Sequence, residues 1–351
     1  MSARFEANGT ASLTRRIAAG VVIVVGVVLL ISTFANNLFK VGPDFEEMID
    51  DFRPMLAEES IATARADLAM LGAVGTEFET AIVPALSQQL GMSSEEFVGF
   101  TAAEFPDVSN GIAALPEIVP TFNGLIDSLD SQRALFESAD QIPTKDLPAT
   151  TVPWGLFLAG IALIVAGVLL YKPGWLGLAS VGTLGVLIVV VTLILSLIPK
   201  AADADDLNAN LEPIYTPELV AQAGGALATV SAMGTQMQTE MLPVLAEQLG
   251  MGGDQLNTFL GENFPATAQA LGTLPEALGR FDGLVTNFEN NLDNYETLKP
   301  VGFSSIIYTL FIGGLVTLAA FAAAWWAGRK EDAFVGVDRL ASESMKDEIK
   351  V

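Results

Sequence analysis

The chain has 351 residues, 51% of them hydrophobic, and a formal net charge of −24, with a mean hydropathy of +0.47. That is too apolar for an ordinary soluble domain and too acidic for a plain membrane plug, so the two properties must be segregated along the chain. With no cysteine and no histidine, disulfides, thiolate nucleophiles, imidazole bases and nearly every zinc, copper or haem site are excluded, and the acidic balance argues against nucleic acid.

Arg4, Arg15 and Arg16 outweigh Glu6 in the first segment, which predicts a cytoplasmic N-terminus over 1–16. The uncharged run 17–39 is long enough to cross a bilayer, which takes roughly 20 apolar residues. No small-x-small cleavage site follows it, so it reads as an uncleaved anchor. Three further runs, at 152–171, 175–198 and 305–328, predict three more spans. Arg15, Arg16, Lys172, Arg329 and Lys330 flank the ends assigned to the inside, which places a turn over 172–174 and a tail over 329–351 in the cytoplasm. Lys40 and Lys200 abut outer ends, where a lysine can snorkel to the headgroups. Trp154, Trp175, Trp325 and Trp326 fall near span ends, as interfacial rings do.

The remaining segments, 40–151 and 199–304, are then both outside. Val41 to Thr151 carries 20 acids against 4 bases, and Ala201 to Pro300 carries 14 against 2, so nearly all the negative charge is extracytoplasmic.

These two segments repeat one another. Leu90-Gly91-Met92 returns as Leu249-Gly250-Met251, Phe105-Pro106 as Phe264-Pro265, and Phe122-Asn123-Gly124-Leu125 as Phe281-Asp282-Gly283-Leu284, always 159 residues later. The expected fold is an all-α membrane protein with four transmembrane helices and two repeated extracytoplasmic helical-bundle domains. Both halves enter the membrane in the same direction, as a tandem parallel repeat.

Within each ectodomain the apolar period is helical. Leu68, Leu71, Val74, Phe78, Ile82, Leu86 and Leu90 match Leu227, Val230, Met233, Met237, Met241, Leu245 and Leu249. Pro84 and Pro243 should kink this long helix, and Gly91 and Gly250 should end it. Ser93 or Ser94 ahead of Glu95 and Glu96 predicts an N-cap. A short helix then stops at Phe105-Pro106, another restarts at Asp107, and a last long helix begins near Pro116 or Pro275.

Three groups of residues could carry chemistry. Asp44, Glu46 and Glu47 match Asp203, Asp205 and Asp206, and carboxylates this close could hold a hard divalent cation. Leu207 and Asn208 break a calcium-loop pattern, however, and acids in a first helical turn need no metal. Met237 and Met241, with Phe78, Ile82, Phe122 and Phe281, would surround any apolar site between the halves, with core packing as the plainer account. The glutamates Glu117 and Glu276 read as first-turn residues. Glycines in the spans, among them Gly160, Gly185 and Gly314, permit close helix contact without a G-x-x-x-G motif.

The expectation is a non-enzymatic, multi-pass protein of a bacterial plasma membrane, with no cofactor. It would act as a structural or accessory subunit of an envelope complex through its acidic bundles. The alternative is a lipid-binding or apolar-ligand-binding component of a transport system. The partners are then membrane lipids and other envelope proteins, not nucleic acid.

Overall fold

The computed structural model describes residues 2–144, 146–172 and 174–348, with side chains between 13 and 329. Pro173 of the expected turn and the side chains of Arg4, Glu6 and Lys330 lie outside the described residues. Among the described residues there is no strand, only an isolated bridge between Thr144 and Leu147. Five helical segments are long and apolar enough to cross a membrane: Leu13–Ala35, Glu58–Leu90, Thr151–Tyr171, Trp175–Ile194 and Phe303–Arg329. The chain divides into two compact units. One holds the residues up to Glu46, Leu135–Asn208 and those from Thr297; the other holds Glu47–Ala134 and Ala209–Glu296.

The first unit contains four of the five apolar segments, in α1 (Ser2–Ala35), α7 (Thr151–Tyr171), α8 (Trp175–Ile194) and α15 (Phe303–Glu348). Glycine brings them together. A Cβ at Gly26 would lie 2.6 Å from the Gly160 carbonyl oxygen, and one at Gly160 would lie 2.9 Å from that of Gly26, so α1 and α7 touch backbone to backbone. Between α8 and α15, Gly185 makes room for the Leu318 side chain and Gly314 for that of Ile188: an added Cβ would lie 2.9 Å from Leu318 Cδ2 and 2.8 Å from Ile188 Cγ2.

Neither the run 17–39 nor the run 175–198 is one uninterrupted helix. Asn37 (φ 50°) and Ser196 (φ 51°) adopt the left-handed conformation. The chain then starts again as α2 (Leu38–Phe52) and α9 (Leu197–Leu211). A single left-handed residue breaks the helical ladder, and asparagine tolerates that conformation better than most. Lys40 and Lys200 bond to the protein instead of reaching freely outward: Lys40 Nζ donates to Thr297 Oγ1 at 2.7 Å, and Lys200 Nζ to the Gln141 carbonyl at 2.8 Å. Arg15 donates to the Leu170 carbonyl at 2.9 Å, an acceptor that the end of α7 leaves open, and to the Gly174 carbonyl just ahead of α8 at 2.7 Å.

In the second unit, α3 (Glu58–Glu77), α4 (Val83–Leu90) and α5 (Ser94–Glu104) are followed 159 residues later by α10 (Pro217–Gln236), α11 (Leu242–Leu249) and α12 (Gly253–Asn263). The expected kinks at Pro84 and Pro243 take the form of π-helical turns at Phe78–Ile82 and Met237–Met241, one turn before each proline. The wider turn takes up the register change where proline removes a donor. Gly91 (φ 68°) and Gly250 (φ 66°) close the helices in the left-handed conformation. Met92 N–H bonds to the Ser87 carbonyl and Met251 N–H to that of Ala246, both at 2.9 Å. Ser93 and Glu96 form the capping box that opens α5. In α12 the cap is Gln255 alone, whose Oε1 accepts from Gly252 N–H at 2.9 Å.

The last helices differ from the expected pattern. No break occurs at Pro116 or Pro275: α6 runs from Pro106 to Asp140 through Pro116 and Pro120, and α13 from Pro265 to Asn290 through Pro275. Buried Val108, Ile112, Leu115, Ile118 and Phe122 form one stripe across the α6 prolines. Packing of that stripe offsets the roughly 3 kcal/mol that an interior proline costs a helix.

Candidate functional site

The two halves of the second unit complete one another's helices. Glu77 accepts from Ala266 and Thr267 N–H, at 3.2 and 2.7 Å, and so caps the start of α13. Gln236, 159 positions later, accepts from Asp107 and Val108 N–H at 2.8 and 3.2 Å and caps the start of α6. Each cap satisfies two of the amides that a helix N-terminus leaves open. Phe122 and Phe281 meet edge to face with centroids 5.3 Å apart. One link is one-sided: Arg280 donates through Nε and Nη2 to the two carboxylate oxygens of Asp67, both at 2.9 Å. Ala226 and Thr121 stand at the corresponding positions.

Of the residues expected around an apolar site, Phe78, Ile82, Met237 and Met241 lie in the π turns, and all six, with Phe122 and Phe281, are at most 6% exposed. Phe122 and Phe281 are brought together, and each also lines a groove, as set out below. The acidic trios spread out. Glu46 accepts from Thr150 N–H at 3.4 Å, just ahead of α7, and Asp205 accepts from Phe303 and Ser304 N–H at 2.7 and 2.9 Å, the first residues of α15. Asp203 accepts from Ser138 Oγ, Asp44 pairs with Lys40 at 3.6 Å, and Glu47 and Asp206 are exposed. Among the described residues no three carboxylates converge as a metal site would require. Carboxylates at helix starts do what the open amides and the dipole favour there.

Two grooves occupy corresponding places in the halves. In one, Met55, Ser60, Ile61, Leu129, Phe281 and Leu284 line an open volume of about 580 Å³. In the other, the equivalent residues Ile214, Leu219, Val220, Phe288, Phe122 and Leu125 leave only about 10 Å³. Leu219 and Phe288 stand where the open groove has Ser60 and Leu129, so the filled groove carries more carbon at both positions. Pro120 likewise corresponds to Gly279 at the open rim.

A polar cleft shows the reverse asymmetry. Arg65 of α3 donates to Asp127 at 2.8 Å and to Asp130 at 2.9 Å. Those hydrogen bonds raise the guanidinium pKa and, from Arg65 first, lower that of Asp130. In the second half Gly224, Thr286 and Glu289 take these places, and a cleft of about 440 Å³ lies open beside Asp282 and Glu289.

Next to the filled groove, Tyr215 stacks on Tyr295 with centroids 4.7 Å apart and packs on Phe52 and Phe288. Burial first, then the Asp51 charge, drives the Tyr215 hydroxyl well above its ordinary pKa; burial, then Glu212 and Glu296, pushes Tyr295 up to about 12. Sequence reasoning that reads each copy for what it shares misses both grooves. The signal was in the positions where the copies disagree, Ser60 against Leu219 and Arg65 against Gly224.

No known protein family and no curated protein sequence matches this chain.

Proposed function

We propose that this chain is a four-span protein of a bacterial plasma membrane, with both termini cytoplasmic and two halves repeated in parallel. In this reading it works without catalysis, as an accessory subunit that binds an envelope partner through its acidic helical body. The basic flanks Arg15, Arg16, Lys172 and Arg329 support the orientation. Glu58–Leu90, the fifth long apolar segment, is read as outside the bilayer, because it belongs to the second unit and its Asp67 is engaged by Arg280.

The observation that carries the partner reading is the cleft at Gly224. The first half fills the corresponding place with its own arginine, so the vacant copy, lined by Asp282 and Glu289, suits a basic side chain supplied by another protein. A Cβ at Gly224 would lie 3.8 Å from Val285 Cγ1 and 3.9 Å from Glu289 Oε1, both ordinary contacts. Gly224→Arg therefore fits and supplies the group internally. The wild-type chain, extracted from its native membrane in mild detergent, should migrate as a discrete complex larger than itself. Gly224→Arg should reduce that complex to the lone chain with no loss of thermal stability. A wild-type chain that migrates alone, or a complex unaffected by the substitution, refutes this function.

A further inference from the structure

The two apolar grooves differ in a way that core packing alone does not require. Where Leu219 and Phe288 complete the core of one, Ser60 and Leu129 leave about 580 Å³ open in the other. The filled groove reports what the space accepts: aliphatic and aromatic carbon between Phe122 and Leu125 on one side and Val220 on the other. The open groove keeps those walls in Phe281, Leu284 and Ile61, and adds a polar mouth of Glu59, Ser60 and Thr63. Its occupant therefore has an apolar body and a polar end. Its volume lies in the range of small-molecule sites, about 300–1,000 Å³. Ser60 Oγ donates to the Pro54 carbonyl and Thr63 Oγ1 to that of Glu59, both at 2.8 Å.

We infer that this groove holds one acyl chain of a membrane phospholipid, with its headgroup at the mouth formed by Glu59, Ser60 and Thr63. The inference uses the membrane part of the proposed function and is independent of the Gly224 cleft. A chain with this many long apolar helices lives among phospholipids, whose acyl chains match the apolar walls of the groove.

The test uses the full chain in lipid nanodiscs that contain a phospholipid with a diazirine on its acyl chain, followed by irradiation and peptide mapping. Label is expected on the apolar spans and, separately, on peptides that carry Met55, Ile61 and Leu284. In Ser60→Leu/Leu129→Phe, which copies the filled groove, groove labelling should fall about tenfold or more. That is the loss expected when as few as two buried methylenes are excluded. Span labelling should not change, and thermal stability should hold or rise. Ser60→Leu alone should lower the label in the same direction if the double variant folds poorly. The reverse change, Leu219→Ser/Phe288→Leu, should bring label to the second groove. Absence of groove label in the wild type, label unaffected by filling, or label obtained only from free fatty acid added to the solution overturns the inference. Label on the spans shows in each case that the membrane reading stands apart from the outcome.

Discussion

The first half of the helical body keeps its own arginine where the second half has Gly224, and the second half keeps Leu219 and Phe288 where the first has Ser60 and Leu129. The helices around these positions begin in register, and α3, α4 and α5 also end in register with α10, α11 and α12, whereas α13 stops at Asn290 and α6 runs on to Asp140. The two stretches thus differ at two pockets, at one by a charged side chain and at the other by apolar bulk. Each half serves as the closed reference for the other's open site. A pocket seen alone could be a packing defect; a pocket whose counterpart is filled by identifiable side chains names the chemistry that it lacks.

The comparison can be strained hardest at the Phe122–Phe281 contact. Phe122→Ala should destabilise the protein by about 3–5 kcal/mol, the cost of an empty aromatic site in a packed core. Phe281→Ala should cost less, because Phe281 lines the open groove and its removal enlarges a space that already exists. Equal losses in denaturant unfolding would show that the two grooves are energetically alike.

A smaller difference should separate the two arginines. Arg280→Met strands the Asp67 carboxylate, whose side chain is 10% exposed. It should cost about 2 kcal/mol, below the full penalty for a buried pair because Arg280 itself is 40% exposed. Arg65→Met removes an exposed pair and should cost less. The same unfolding measurement orders them, and the reverse order would contradict the picture of Arg280 as the link between halves.

The smallest effect is silent at neutral pH. Tyrosine in an unfolded chain ionises near pH 10, whereas Tyr295 is pushed up to about 12 and Tyr215 is raised well above its ordinary value. A raised folded pKa contributes stability that is fully present below the unfolded value and is lost as pH rises through the folded one. Stability should therefore decline from about pH 10 upward. Tyr295→Phe should make that decline shallower, as followed by the urea midpoint against pH. The corresponding positions in the first half, Leu56 and Phe136, have nothing to ionise.

Much of the scaffold was legible in the residues. The helical period, the endings at Gly91 and Gly250 and the cap at Ser93 depend on local rules, and a local rule can be read locally. Pro116 and Pro275 were misleading because proline sets only a cost, and the buried stripe that outweighs it belongs to the packed body. The acids Glu46 and Asp205 suggested a cation site because their partners are amides more than a hundred, or nearly a hundred, positions away, which no spacing rule contains. The Met237 and Met241 stripe was visible, but its burial in a π turn, away from Ser60 and Leu129, was not.

The exchanged caps have a consequence for the order in which the chain is made. Asp107 and Val108 wait for an acceptor on Gln236, 129 and 128 residues further along. At about 5–20 residues per second of synthesis, the front of α6 stays unfinished for roughly 6–26 seconds after it emerges. During that interval two apolar runs have also to leave the ribosome. The start of α6 thus depends on a residue made after it, and a chain cut short before Gln236 leaves the Asp107 and Val108 amides without that acceptor.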